Sequence, residues 1–175
     1  MEGEQHGRGE GGPDDRRATA ALHDEVVRAC RSDLEGVGWT VAAVTGDVTG
    51  NDWAYTVGLD QHHGHPELLL VGLPAPLAGA VVQTLAEWVA SGARLPAGAE
   101  LTVGPLRLRA VAVDDLFLSH GDWFNLGREV MAEYGRRWPA TVQLLWADDR
   151  GRFPAVGAPP GALRRQPVLA VAADA

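Results

Sequence analysis

Four consecutive apolar residues, Leu68 to Val71, constrain the fold of this 175-residue chain more than any other feature. A run without polar alternation is typical of a strand that is buried on both faces. Pro74 and Pro76 follow the run and open a helical pattern that Gly92 closes. The apolar stripe of that helix is predicted at Leu77, Val81, Leu85 and Trp88.

The remaining segments show both helical and strand patterns. Residues 19–35 have apolar residues at helical spacing, with Thr19 as the cap. Residues 39–45 and 53–59 alternate as strands, and the Gly-rich turn between them predicts a hairpin. Further patterns predict a loop at 60–65, a strand at 106–113, a helix at 126–134 and a strand at 141–147. We therefore predict an α+β protein with one mostly antiparallel or mixed sheet of about five to six strands and two to three helices.

Composition divides the chain into three parts. Residues 1–17 are Gly-rich, charged and acidic, which predicts a disordered tail. Residues 18–155 are predicted to form a single domain. Residues 156–175 are rich in Pro and Gly and predict a surface segment, with a short edge strand at 168–171.

The charge of the chain excludes several functions. The formal net charge is -8 and all 15 basic residues are Arg, so we expect no general nucleic-acid binding. Lysine-dependent Schiff-base and P-loop chemistry are excluded as well. No apolar run is long enough to span a membrane. The single Cys30 and the absence of a secretory signal predict a cytoplasmic location.

The densest polar cluster is the loop from His62 to Glu67. In an extended chain His63, His65 and Glu67 face the same side, which is a possible ligand set for a divalent metal. His120 or Asp148 could supply a further ligand. Alternatively His65 and Glu67 form an acid–base pair, or the loop is simply solvated and its histidines bond locally.

Two other groups of residues have open interpretations. Arg107 and Arg109 on one strand face either grip an anion or form surface ion pairs, and we favour the ion pairs. The loop that contains Trp123 and Phe124 either lines a pocket or covers the core. Trp39, Trp53 and Trp146 are predicted to be core residues.

A series of motifs resembles a known family. The motifs are Gly38-Trp39, Ala54 to Leu59, Gly64 to Leu68, Gly72-Leu73, Val142 to Trp146, Asp148 and Gly151 to Pro154. In this order they resemble the uncharacterised bacterial family called domain of unknown function 4262, over about residues 22 to 155. The resemblance implies functional positions at Tyr55, Thr56, His65, Glu67, Gln143 and Asp148. The family's Gly-Arg-Phe-Pro motif is usually followed by Trp-Glu, whereas Ala155-Val156 follow here.

The chain has no complete nucleophile or phosphate motif, which favours a binding or accessory module. We predict recognition of a small molecule, a peptide or a partner protein through the His-Pro-Glu rim, residues 65–67, together with the loop at Trp123. The rim is expected to lie at the same end of the sheet as Asp148.

The residues behind these hypotheses fall into three sets. The ligand-binding candidates are Tyr55, Thr56, His65, Glu67, Trp123 and Gln143, and the catalytic candidates are His65, Glu67 and Asp148. Two enzymes remain as alternatives: a metal-assisted hydrolase that uses His63, His65 and Glu67, and a flavin-binding oxidoreductase of the split-barrel kind. The sequence leaves open whether the protein is an enzyme, which cofactor it binds and how it oligomerises.

Overall fold

A computed structural model describes residues 12–46, 50–120, 122–155 and 166–170. Within these ranges the chain forms five helices and six strands. In chain order they are α1 (Pro13–Val37), β1 (Thr40–Val44), β2 (Trp53–Val57), α2 (Leu59–His63), β3 (Glu67–Val71), α3 (Ala75–Ala90), β4 (Glu100–Val103), β5 (Leu106–Ala112), α4 (Asp115–Ser119), α5 (Asn125–Glu133) and β6 (Thr141–Trp146).

All six strands of the described residues belong to one sheet, in the order β1-β2-β3-β6-β5-β4. The pairing of β3 with β6 is parallel, and every other pairing is antiparallel. The predicted single α+β domain with a mixed sheet is therefore confirmed. Three helices have nine residues or more, and two further helices, α2 and α4, have only five residues each.

Strand β3 lies inside the sheet between β2 and β6, and all five of its residues are buried. Leu68 and Leu70 pack in the apolar cluster beneath α3. Leu69 and Val71 point to the opposite face and pack in the cluster beneath α1 and α5. Because side chains alternate along a strand, a strand covered by helices on both faces favours apolar residues on both of its sides, as in Leu68 to Val71. The apolar run predicted this arrangement correctly.

Helix α1 differs from its prediction at its start. It begins at Pro13 rather than Thr19, because Pro is favoured in the first turn of a helix and Gly12 precedes it in an extended conformation. It ends at Gly38, whose φ of 87° needs a glycine. Part of the predicted disordered tail, residues 1–11, lies outside the described residues.

Helix α3 faces the sheet with a different stripe from the predicted one. Leu77 and Trp88 are exposed, while Val81 and Leu85 are buried as expected. Small residues such as Ala78 are buried in their place, because they let the helix approach strands β1 and β2 closely. A stripe predicted from the large side chains alone is therefore rotated about the axis of α3, relative to the face that packs against the sheet.

Strand β4 was missed because it is an edge strand with polar residues, and among the described strands it pairs with β5 alone. Gly104 and Pro105 form the two-residue turn of this hairpin, in which Val103 pairs with Leu106.

No helix among the described residues has the length and apolar character needed to cross a membrane.

Candidate functional site

The motif residues Thr56 and Glu67 form a buried network inside the fold. Glu67 is fully buried, and its carboxylate accepts hydrogen bonds from the Thr56 hydroxyl at 2.5 Å, the Gly58 N–H at 2.9 Å and the Asp60 N–H at 3.2 Å. Thr56 Oγ1 in turn accepts from the Leu68 N–H at 2.9 Å. Burial raises the pKa of Glu67, while the hydrogen bonds from Thr56 and the N–H groups act in the opposite direction.

This network explains why a short helix stands where a loop was predicted. The first N–H groups of a helix need acceptors, and Glu67 supplies one for the start of α2 from a neighbouring strand. Gly58, at the start of α2, has a φ of 109°, and a Cβ there would lie 2.5 Å from the carbonyl oxygen of Gly38. Glycine is therefore required at this position. Such a cap between distant residues has no local sequence signal.

His65 is also buried, and both of its ring nitrogens have partners. Nε2 accepts a hydrogen bond from the Leu95 N–H at 3.0 Å, so this nitrogen carries no proton. Nδ1 lies 2.7 Å from the Pro66 carbonyl oxygen and donates to it. Burial lowers the pKa of His65. The neutral imidazole connects the chain before β3 to the loop after α3.

The tautomer of His65 predicts that the fold weakens in acid. As the pH falls below the ordinary histidine pKa of about 6.5, His65 becomes protonated in the unfolded chain but stays neutral in the folded chain. We expect the free energy of unfolding to decrease from that pH down to the lowered pKa of His65, by at most about 1.4 kcal/mol per pH unit. Urea titrations of the wild type and His65→Gln between neutral pH and pH ~5 check this. Equal pH slopes in the two proteins would contradict it.

The three residues of the predicted metal site do not meet. His65 and Glu67 use their polar atoms inside the fold, and His63 lies on α2 with its Nε2 buried and without a hydrogen-bond partner. Among the described residues no three His, Cys, Asp or Glu side chains are grouped closely enough to hold a metal ion. The extended geometry assumed for this loop is interrupted by the end of α2 at Gly64.

Asp148 lies at the opposite end of the sheet from the His-Pro-Glu segment. Strands β3 and β6 are parallel and in register, with Glu67 paired to Thr141, so Asp148 follows the far end of β6. Its carboxylate binds the guanidinium of Arg152 at 2.7 Å, which lowers the pKa of Asp148 to about 2. The expectation of one rim shared by these residues is wrong, because β6 runs parallel to β3 and its end leads Asp148 away from Glu67.

Tyr55 is buried in an aromatic cluster with Phe124 and Trp138. Its ring makes edge-to-face contacts with both, at centroid distances of 5.3 and 5.6 Å, and the rings of Phe124 and Trp138 stack at 4.8 Å. The Tyr55 hydroxyl accepts a hydrogen bond from the Gly127 N–H at 3.2 Å. Burial raises the pKa of Tyr55 to about 12. This residue therefore supports α5 and is not accessible to a ligand.

Two other candidates lie apart from this cluster. Trp123 is half-buried, meets Trp53 edge-to-face at 5.2 Å and accepts a hydrogen bond from the Trp53 indole at its carbonyl oxygen. It lines a depression of about 400 Å³ next to Trp53 and Asn51. Gln143 is fully buried in β6 and contacts the C-terminal residues.

Arg107 and Arg109 on strand β5 both form ion pairs with Glu100 of β4, as the favoured interpretation predicted.

A cleft of about 460 Å³ opens at the end of β6 nearest to Glu67. It lies between α4, α5 and the loop that joins α5 to β6. We name it the arginine cleft, and its lining is Asp115, Leu118, Ser119, Arg128, Arg136, Arg137, Trp138, Pro139 and Ala140. Three guanidinium groups and one carboxylate give this lining a formal charge of +2, in a chain whose net charge is -8.

The three arginines of the cleft differ in how firmly they are held. Arg128 donates to the Leu118 carbonyl oxygen at 3.0 Å and to Asn125 Oδ1 at 2.9 Å, which fixes its position. Arg136 forms an exposed ion pair with Asp60 at 3.3 Å. Within the described residues Arg137 has neither an ion pair nor a hydrogen bond from its side chain. Its charge is therefore available to a ligand.

The buried motif residues position this cleft. Glu67 holds the N–H of Asp60, and the Asp60 carboxylate pairs with Arg136. Tyr55 packs against Trp138, whose indole N–H is fixed by Thr141 Oγ1 at 3.0 Å. Glu67 and Tyr55 thus support residues that line the cleft, and none of the predicted site residues lines it. The overlooked sequence signal was the segment from Arg136 to Pro139, where two adjacent arginines precede a Trp and the last strand.

The fold and the cleft define an α+β protein with one mixed sheet, helices on both faces and a cationic cleft at one end of the central strands. The comparison with known families agrees with the sequence resemblance. The chain belongs to the family Domain of unknown function (DUF4262), which it matches over residues 33–157. No curated protein and no solved structure matched the chain.

Proposed function

We propose that this protein is a binding module for a small anionic molecule, which it holds in the arginine cleft. The observation that carries the proposal is the lining of the cleft, where three arginines meet and Arg137 has no protein partner among the described residues. Guanidinium groups are suited to carboxylates and phosphates because their planar donors match two acceptor oxygens. The volume of about 460 Å³ is in the range of small-molecule sites.

The shape of the ligand follows from the rest of the lining. Trp138 is half-buried, and together with Leu118 and Pro139 it gives the cleft an apolar side. The Ser119 hydroxyl supplies a neutral polar group. A ligand with one anionic group and a flat apolar body fits this combination, because the anion meets guanidinium while the body packs against the indole. Phenyl phosphate and benzoate have this chemistry.

A binding role is also supported by the state of the earlier catalytic candidates. His65 and Glu67 are buried and bonded within the fold, and Asp148 is paired with Arg152 at the other end of the sheet. A cytoplasmic location and the absence of general nucleic-acid binding belong to the same proposal. They are supported by the lone Cys30 and by the acidic net charge of the chain.

Isothermal titration with phenyl phosphate tests the proposal. We expect Arg137→Ala to weaken binding at least about tenfold, since a charge-assisted hydrogen bond contributes more than about 1.4 kcal/mol. Arg150→Ala is the matched control, because Arg150 is an exposed arginine in the turn after β6, at the other end of the sheet. It should leave the affinity unchanged.

Two further probes complete this test. Benzoate should bind at the same site, and the cation benzamidine should not bind there. Affinity should fall as salt is added, because the arginines of the cleft are partly exposed. Absence of binding by both anions, or equal losses in Arg137→Ala and Arg150→Ala, would refute the proposal.

A further inference from the structure

Residues 166–170, here called the C-terminal segment, lie against β6 without forming a strand. They are held by Gln143, a fully buried side chain of β6. Its amide Nε2 donates to the Pro167 carbonyl oxygen at 2.6 Å, and its Oε1 accepts from the Leu169 N–H at 2.7 Å. One side-chain amide therefore satisfies two backbone groups of the segment.

Two more contacts fix the direction of the segment. The Asp114 N–H donates to the Leu169 carbonyl oxygen at 2.9 Å. The Gln166 side chain contacts both backbone groups of Trp146, accepting from its N–H at 2.7 Å and donating to its carbonyl oxygen at 3.0 Å. Trp146 pairs with β5, whereas the pairing of β6 with β3 ends at Gln143, so Gln166 satisfies backbone groups of β6 beyond the end of the β3 pairing.

One apolar side chain anchors the segment. Leu169 is only 3% exposed and packs in the apolar cluster beneath α1 and α5. Backbone recognition combined with a pocket for one side chain is the way in which proteins bind extended peptides. The contacts of this segment have both components, and from Pro167 to Ala170 the segment carries no charge.

The segment and its receptor belong to different parts of the chain. Gln143, Trp146 and Asp114 lie inside the range matched by the family, residues 33–157, and the segment lies outside it. Ten residues, 156–165, separate it from the rest of the domain. We propose that Gln143, Trp146 and Asp114 form a peptide-binding groove that accepts an extended Gln-Pro-x-Leu peptide, and that the C-terminal segment occupies it as a tethered ligand.

A tethered ligand has a measurable consequence. Because the segment is joined covalently to the domain through only ten residues, its effective concentration at the groove is on the order of millimolar, and a free peptide at micromolar concentration competes poorly with it. The wild-type chain should therefore show almost no binding of a free peptide. A variant whose own C-terminal segment binds the groove more weakly should bind the same peptide from solution.

Fluorescence anisotropy with a labelled peptide of residues 163–172 tests the groove in the full-length chain. Leu169→Asp weakens the tethered segment, because a carboxylate is disfavoured in the apolar cluster, and it leaves the groove residues unchanged. We expect this variant to bind the peptide at least about tenfold more tightly than the wild type. Adding Gln143→Ala to the variant should abolish that gain, and a peptide with Leu169→Ala should not bind.

The same experiment separates a docked ligand from a permanent part of the core. Circular dichroism should show that Leu169→Asp keeps its secondary structure and a cooperative melt. The milder Leu169→Ala should bind the peptide with intermediate affinity. If neither variant binds more peptide than the wild type, or if both lose the cooperative melt, the segment is an integral part of the fold and the proposal is overturned.

Discussion

Glu67→Ala is expected to lower the free energy of unfolding by about 3–5 kcal/mol. The change removes the acceptor of the Thr56 hydroxyl and of the Gly58 and Asp60 N–H groups. Each donor left buried without a partner costs about 1–3 kcal/mol. Urea denaturation followed by tryptophan fluorescence measures the loss.

Two variants show whether the network or the charge is responsible. Glu67→Gln keeps the volume and one acceptor oxygen, so it should lose much less than Glu67→Ala. Thr56→Val removes one hydroxyl that serves both Glu67 and Leu68, and we expect a loss of about 1–3 kcal/mol. If Glu67→Ala changed stability by less than Thr56→Val, Glu67 could not be the centre of this network.

The pH dependence of Glu67 has the opposite sign to that of His65. Its raised pKa means that the folded chain loses the proton less readily than the unfolded chain. The contribution of Glu67 is therefore largest below its ordinary pKa and decreases as the pH rises towards the raised value. Glu67→Gln removes this decrease and leaves the acid-side loss from His65 in place.

Gly127→Ala is expected to destabilise the fold by about 2–3 kcal/mol. A Cβ at this position of α5 would overlap Cζ3 of Trp138 and lie 3.0 Å from Cε2 of Tyr55. Both rings are held in the aromatic cluster, so α5 must shift away and Phe124 with it. Alanine gains up to about 1 kcal/mol over glycine inside a helix, and this gain does not offset the clash.

Gly79→Ala is the matched control for this substitution. Gly79 lies inside α3, where an added Cβ would meet only Ala43 Cβ at 3.5 Å, an ordinary contact. We expect Gly79→Ala to raise the free energy of unfolding by about 0.4–1 kcal/mol. Thermal melts of the two variants should shift in opposite directions. A stabilising Gly127→Ala would show that Trp138 does not pack against α5 in this way.

The sequence predicted the architecture well where a pattern was local. The unbroken apolar run marked β3 as a central strand, and alternation marked β1 and β2 as a hairpin. The α2 helix and the β4 edge strand were not predicted, because both are stabilised by residues outside their own segments. A distant carboxylate holds the start of α2, and pairing with β5 supports β4. Neither partner can be seen from periodicity.

The candidate site could be predicted only in part, for a related reason. Polar residues within motifs, such as Thr56, His65 and Glu67, suggested a ligand site, yet each is buried and bonded to the chain itself. Their arrangement depends on which strands are neighbours and on the direction of β6, and a linear sequence does not specify either. The Arg136-Arg137 pair was visible, but its meeting with Arg128 depends on tertiary structure.

The buried motif residues support the arginine cleft, and we propose that the arginines of this cleft bind the ligand. Amide NMR spectra recorded during a titration with phenyl phosphate test it most directly. Saturating shifts are expected at Ser119, Arg128 and residues 136–138, together with the indole N–H of Trp138. The proposal would be contradicted if the largest amide shifts occurred around Trp53 and Trp123, or if no amide shifted at millimolar phenyl phosphate.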